Sequence, residues 1–259
     1  MQLPLSHAVA EHLDVVPQAG STNVELVARA SGAPHLTVLA TTDQTAGKGR
    51  LGRVWVAPPG KTIAVSVLLR PNVQDADRLG WLPLLAGLAM TRAVASLVPG
   101  RLVGLKWPND VQVDGLKISG LLAEYVPAES AVVIGAGLNL TMTEEELPTP
   151  VSTSLTLQGA VDDGIVDAAL SAYLRELFGA YRRFALAGFD AQAGLRREVS
   201  EACTSIGRSV RVELPGGGIV EGIAVSIDEL GRLVVRGGDG VETAVAAGDV
   251  THARFDPGA

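Results

Sequence analysis

The sequence predicts an α+β fold, a mixed-sheet body followed by a small all-β appendage, and three observations carry that prediction. Before residue 204, apolar β-branched runs of strand length recur between helical patterns without strict strand–helix alternation. With 47% hydrophobic and 19% charged residues, the chain can bury a sizeable core. Near Thr204 the character changes to short β-rich pieces separated by glycines, the pattern of a small barrel. The expected division is therefore 1–203 and 204–259.

Residues 13–17 read as a short strand. Gly20-Ser21-Thr22-Asn23 opens a helix, with Thr22 and Glu25 at capping-box spacing. Residues 36–42 form the next strand, and the glycine- and cation-rich stretch 44–55 reads as a loop. Residues 62–69 (TIAVSVLL) are a buried strand, and 79–98 an apolar helix. Residues 102–107 are a strand ending at a proline. Residues 110–113 and 116–124 pair through Asp114-Gly115, a strong hairpin signal. Residues 131–138 are a strand, 164–184 a helix and 192–203 a shorter helix. The final pieces are SVRVEL, IVEGIAVSI, RLVVR and TAVAA.

Net charge is −7 and the pI is near 5.1, so no global positive field draws the chain to nucleic acid or anionic lipid. Any basic cluster must answer to a local anion. The lone Cys203 excludes an internal disulfide and a CxxC metal site, and reads as a small buried hydrophobe. The N-terminus lacks a charged segment followed by an apolar run, so no signal peptide is read. The 79–98 stretch matches a bilayer span in length, but Arg92 and Pro83 interrupt it and a core helix is the expectation. A cytoplasmic protein follows. His7, His12, His35 and His252 show no metal spacing.

Four constellations can carry chemistry. In Gln44 to Trp55, three glycines and three cations (Gly47, Lys48, Gly49, Arg50, Gly52, Arg53) fall within seven residues. Glycines let backbone N–H groups approach an anion, and the cations supply charge-assisted hydrogen bonds to phosphate or carboxylate. Composition alone slightly favours a solvated, flexible hairpin loop, since the stretch does not match a Walker-type loop. Lys106-Trp107-Pro108-Asn109-Asp110 puts a cation, an amide and a carboxylate at a strand end. Asp110 is a candidate Mg²⁺ ligand, because that ion prefers oxygens. The alternative is a proline turn with Trp107 in the core. Lys117 and Gly120 follow the hairpin turn, where Gly120 inside a strand points to close approach of a ligand. Gly135 and Gly137 precede Asn139 at another strand end. Ser21, Thr22 and Asn23 read by default as a helix cap. Together, Lys48, Arg50, Arg53, Lys106 and Lys117 in an acidic chain call for a polyanionic ligand.

The order GSTN, QTAGKGRLGRVW, KWPNDV, KISGLLAE, VVIGAGLNL resembles the biotin–protein ligase family over essentially the whole chain. That resemblance implies a class II synthetase-like mixed sheet with a C-terminal SH3-like barrel. It implies ATP and biotin as substrates, with Mg²⁺, and a two-step reaction through biotinyl-5′-AMP to a lysine of a biotin carboxyl carrier domain. The carrier would belong to an acyl-CoA or pyruvate carboxylase, and the enzyme would be a monomer or weak homodimer. Biotin is then expected against Ser21, Thr22, Asn23, Gln44, Gly47, Lys48, Arg50, Trp55, Lys117, Gly120 and Gly135. The nucleotide is expected against Lys48, Arg50, Arg53, Trp55, Asn109, Lys117 and Asn139. Lys117, Arg53 and Lys106 are the expected catalytic groups. Many family members carry arginine where this chain has Lys48, which loses the planar fork. Only about twenty residues precede GSTN, too few for the DNA-binding domain that some members carry, so no sequence-specific DNA binding is expected. A lipoate ligase and a non-catalytic biotin sensor are the competing readings.

Overall fold

The computed structural model describes residues 2–73, 75–161, 163–191 and 194–252, with His252 represented by its backbone. Seven strands form a mixed sheet: β1 (Leu13–Val15), β2 (Val38–Thr41), β5 (Thr62–Leu69), β6 (Val103–Lys106), β7 (Asp110–Val113), β8 (Leu116–Val126) and β9 (Ala131–Asn139). Their order is β1-β2-β5-β9-β8-β7-β6. Only β1 and β2 run parallel; every other pairing is antiparallel. The Asp114-Gly115 turn has both residues at positive φ, 49° and 83°, as a tight hairpin between twisted strands demands.

The two faces of this sheet do different work, and the strand period of two separates them. Val65, Val67 and Leu69 of β5 with Ile134 and Leu138 of β9 enter the main core. There they meet α3 (Trp81–Leu97) and α4 (Ile165–Leu186), which pack on each other. Across the sheet, Leu39, Leu68 and Val133 pack on Leu26 of α2 (Thr22–Ala28), forming a smaller cluster. The rest of that second face carries Ala64, Ser66, Gly135 and Gly137. Small residues there leave the sheet surface open.

The segment 76–97, which contains α3, is long and apolar enough to cross a bilayer, but 67% of its most apolar window is buried. It is the core helix expected from its interruptions. A short α1 (Pro4–Val9), absent from the sequence expectation, is fixed on α4 by Asp167, whose carboxylate accepts from the N–H groups of Leu5 and Ser6 at 2.9 and 2.8 Å. The expected helix over 192–203 is α5 (Leu195–Ala202); positions 192 and 193 lie outside the described residues.

From Ser209 the chain forms a five-stranded antiparallel sheet, order β13-β12-β11-β10-β14, consistent with an SH3-like barrel. Its strands are β10 (Ser209–Glu213), β11 (Ile219–Ile227), β12 (Leu233–Arg236), β13 (Glu242–Val245) and β14 (Asp249–His252). The last was not foreseen. This sheet clasps the body through indole donors: Trp81 Nε1 to the Glu229 carbonyl at 2.7 Å, and Trp107 Nε1 to that of Gly231 at 3.2 Å. Trp107 is therefore a core residue, as the structural alternative for KWPND required.

Candidate active site

The open part of the second sheet face is the floor of a cavity of about 330 Å³, large enough for a small-molecule ligand. Its glycines mark close approaches. A Cβ on Gly135 would collide with the Asn23 carboxamide, and one on Gly137 would stand 2.5 Å from the Trp55 indole. A Cβ on Gly120 would lie 3.3 Å from both Lys117 Nζ and Trp55. Trp55 thus lies over the floor, and its indole N–H has no partner among the described residues.

The start of α2 forms one wall. The expected capping box is absent: Glu25 accepts from the Gly20 N–H, one residue before the N-cap, and Ser21 at the cap makes no side-chain bond to the helix. The side chains turn instead toward the sheet. Gln44 Oε1 accepts from the Thr22 N–H at 3.0 Å, and lies 3.3 Å from Thr22 Oγ1. The Ser66 hydroxyl lies 2.8 Å from Thr22 Oγ1 and donates to Asn23 Oδ1 at 2.6 Å. Asn23 Nδ2 donates to Glu124 at 2.7 Å. With its oxygen engaged, Gln44 is oriented before any ligand arrives.

The stretch read as a loop is a small hairpin, β3 (Gly47–Lys48) paired with β4 (Val54–Trp55) around a 3₁₀ turn at 50–52. Gly47 does not line the cavity. A Cβ there would stand 2.5 Å from Gln44 Nε2 and from the Trp55 carbonyl, so the glycine serves hairpin closure. The hairpin carries Lys48, Arg50 and Arg53 to the cavity, where Lys106 and Lys117 also open. All five cations foreseen as one group therefore meet.

Three of the five rim cations have a hydrogen-bond or ion-pair partner among the described residues. Lys117 Nζ lies 2.7 Å from Asp110 Oδ1. Arg50 donates to Asn109 Oδ1 at 2.9 Å and to the Gly248 carbonyl at 3.3 Å, and lies 3.9 Å from Asp249. Arg53 is ion-paired with Asp249. Burial lowers the Lys106 pKa, opposed by Asp110 and reinforced by Lys117 and Arg53. Burial likewise lowers that of Arg50. These are cations held against their desolvation, as an anion site requires.

Two family models match this chain: the biotin/lipoate A/B protein ligase family over residues 16–139, and the biotin protein ligase C-terminal domain over 205–252. The biotin–[acetyl-CoA-carboxylase] ligase of Mycobacterium tuberculosis is 43% identical, over 93% of this chain and 89% of that protein. The chain belongs to the biotin–protein ligase family. The biotin–[acetyl-CoA-carboxylase] ligase of Paracoccus denitrificans is 30% identical, over 90% of this chain and 98% of that protein. The fold is shared with the Aquifex aeolicus biotin protein ligase solved with biotin and ATP (TM-score 0.76, 24% identity, covering 94% and 99% of the two chains).

Within this ligase fold, Ser21, Thr22, Asn23, Gln44, Lys48, Arg50, Arg53, Trp55, Lys106, Asn109, Asp110, Lys117, Gly120 and Gly135 all line the cavity. Asn139, expected at the nucleotide, does not. It is buried at the end of β9, donating to the Thr153 carbonyl at 2.8 Å, with its Oδ1 unpartnered among the described residues. Asp110, the candidate metal ligand, is ion-paired with Lys117 through one carboxylate oxygen. Sequence reasoning missed Asp249 and Ser66. Ser66 was legible in principle, as the polar member of an otherwise apolar buried strand; nothing marked Asp249.

Proposed function

We propose that this chain is an ATP-dependent biotin–[acetyl-CoA-carboxylase] ligase, acting in the cytoplasm. The observation that carries the reading is one cavity with two ends: an oriented, uncharged floor and a rim of five cations in an acidic protein. The floor suits a fused bicyclic urea. Ser21, Thr22 and Gln44 meet its polar edge, while Trp55 and Gly120 cover its apolar body. The carboxylate then points toward Lys117.

In the first step a biotin carboxylate oxygen attacks the α-phosphorus of ATP, and the bond to pyrophosphate breaks. Two anions must approach, so the repulsion has to be offset. Fixed cations do this without reorganising at the moment of reaction. Lys117 serves the carboxylate and α-phosphate; Lys106 and Arg53 serve the departing phosphates. Arg50 and Lys48 lie over the mixed anhydride and shield it from water. In the second step an acceptor lysine amine attacks the acyl carbon, loses a proton, and AMP departs.

Magnesium commonly binds through one or two carboxylates plus substrate phosphates. Asp110 fits as the carboxylate, with one oxygen spoken for by Lys117. The ion would neutralise phosphate charge. Asn139, with an unpartnered buried oxygen, remains our choice for the adenine side. We further propose that residues 1–203 hold both substrates and 204–259 close over them, and that the acceptor is a biotin carboxyl carrier domain of an acyl-CoA or pyruvate carboxylase. The test is biotin-dependent exchange of pyrophosphate into ATP, run beside lipoate. Exchange with biotin alone is expected; exchange with lipoate alone would overturn the assignment.

A further inference from the structure

Asp249 lies on β14, an edge strand of the C-terminal sheet, yet it lines the cavity of the body. Its register opposite Glu213 on β10 fixes the backbone, and Gly248 before it has no room for a side chain. A Cβ there would stand 2.5 Å from Val212 and 2.9 Å from the Glu213 carbonyl. The strand is thus held close, and it presents two acceptors, the Gly248 carbonyl and the Asp249 carboxylate, to two arginines of the hairpin. Arg50 bonds the body through Asn109 and the appendage through Gly248. Its side chain is 19% exposed, whereas that of Arg53 is 60% exposed. Arg53 therefore depends on Asp249 for its position far more than Arg50 does. The tip of the hairpin, Leu51, is 60% exposed and adds no burial to hold it down.

We infer that Asp249 is a positioning residue, a latch by which the C-terminal sheet holds the Arg50–Arg53 hairpin closed across the cavity. The inference rests on the adenylate chemistry proposed above, because the hairpin's task is to retain that intermediate. A carboxylate fits this task where a neutral group does not. It opposes the mutual repulsion of two arginines that must stand side by side before phosphate arrives. The latch couples the appendage to the retention of the intermediate and, through Arg53, to the placing of the departing phosphates.

The experiment uses the full chain and measures release of radiolabelled biotinyl-5′-AMP from Asp249→Asn, Asp249→Ala and Asp249→Glu, beside the KM for ATP and the kcat of pyrophosphate exchange. Losing a charge-assisted pair should speed release and raise the KM for ATP about tenfold for Asn and Ala, with a smaller fall in kcat. Glu should restore part of the effect. In an Arg53→Ala background the Asp249→Asn effect should vanish, because the two residues act as a unit. Raising salt should speed release from the wild-type chain more than from Asp249→Asn. Unchanged release in Asp249→Asn, or a full additive effect in the Arg53→Ala background, would overturn the latch. Slower release with a lower KM would overturn it too, making Asp249 a competitor of phosphate. A wild-type chain that forms no adenylate would instead overturn the underlying ligase reading.

Discussion

At the floor of the cavity, Thr22, Asn23, Gln44 and Ser66 hold one another by hydrogen bonds against a packed sheet. At the rim, Arg53 and Lys117 are held by the carboxylates of Asp249 and Asp110. The floor is complete without a ligand, so it selects by shape and by the few polar atoms left over. The rim is a set of ion pairs whose arginine and lysine still have N–H donors to offer an arriving phosphate. One half of the site is built to fit, the other to take on a further partner. That division matches a reaction whose first substrate stays still while its carboxyl group changes partners.

Breaking the rim at its centre should have the largest effect. Lys117→Ala should lower biotin-dependent pyrophosphate exchange by about 10²–10³-fold while circular dichroism stays native. Exchange at the wild-type rate would remove Lys117 from the chemistry and leave the floor to explain it. At the edge of the rim the effect should be smaller and different in kind. Arg50→Ala should still form the adenylate but release it about tenfold faster, labelling nearby proteins. Release at the wild-type rate would argue against shielding.

The floor is tested by Gly135→Ala, whose new methyl group displaces the Asn23 carboxamide from Ser66 and Glu124. Overpacking of this kind costs about 1–3 kcal/mol, so biotin affinity by calorimetry should fall about tenfold. Nucleotide affinity should hold; a matching loss of both would mean floor and rim are one structure. The smallest effect concerns Lys106, whose pKa burial lowers. A lowered lysine loses its charge at a lower pH than an exposed one, so the KM for ATP should begin to rise earlier on the alkaline side. Lys106→Arg should move that rise to higher pH. An identical alkaline limb in both proteins would detach Lys106 from the phosphates.

Elements long enough to show a period were legible in the sequence. Residues 62–69 are a strand in full, and the Asp114-Gly115 hairpin and the two long helices stand where the pattern puts them. The short α1 was not legible, because six residues carry too little periodicity and its anchor, Asp167, is far away in sequence. The cationic group was legible because charge has few reasons to gather in an acidic chain. The capping-box spacing of Thr22 and Glu25 misled, since the sheet offers those side chains better partners than the helix end does. Asp249 was illegible for a related reason: its role exists only where two sheets meet, and no local pattern encodes that meeting.

The most direct test of the whole account is the intact mass of an apo biotin carrier domain after incubation with this chain, biotin and Mg-ATP. The account predicts a gain of one biotinyl group at a single lysine, lost when either biotin or ATP is omitted. A carrier left unmodified, or modified only when lipoate replaces biotin, would contradict it.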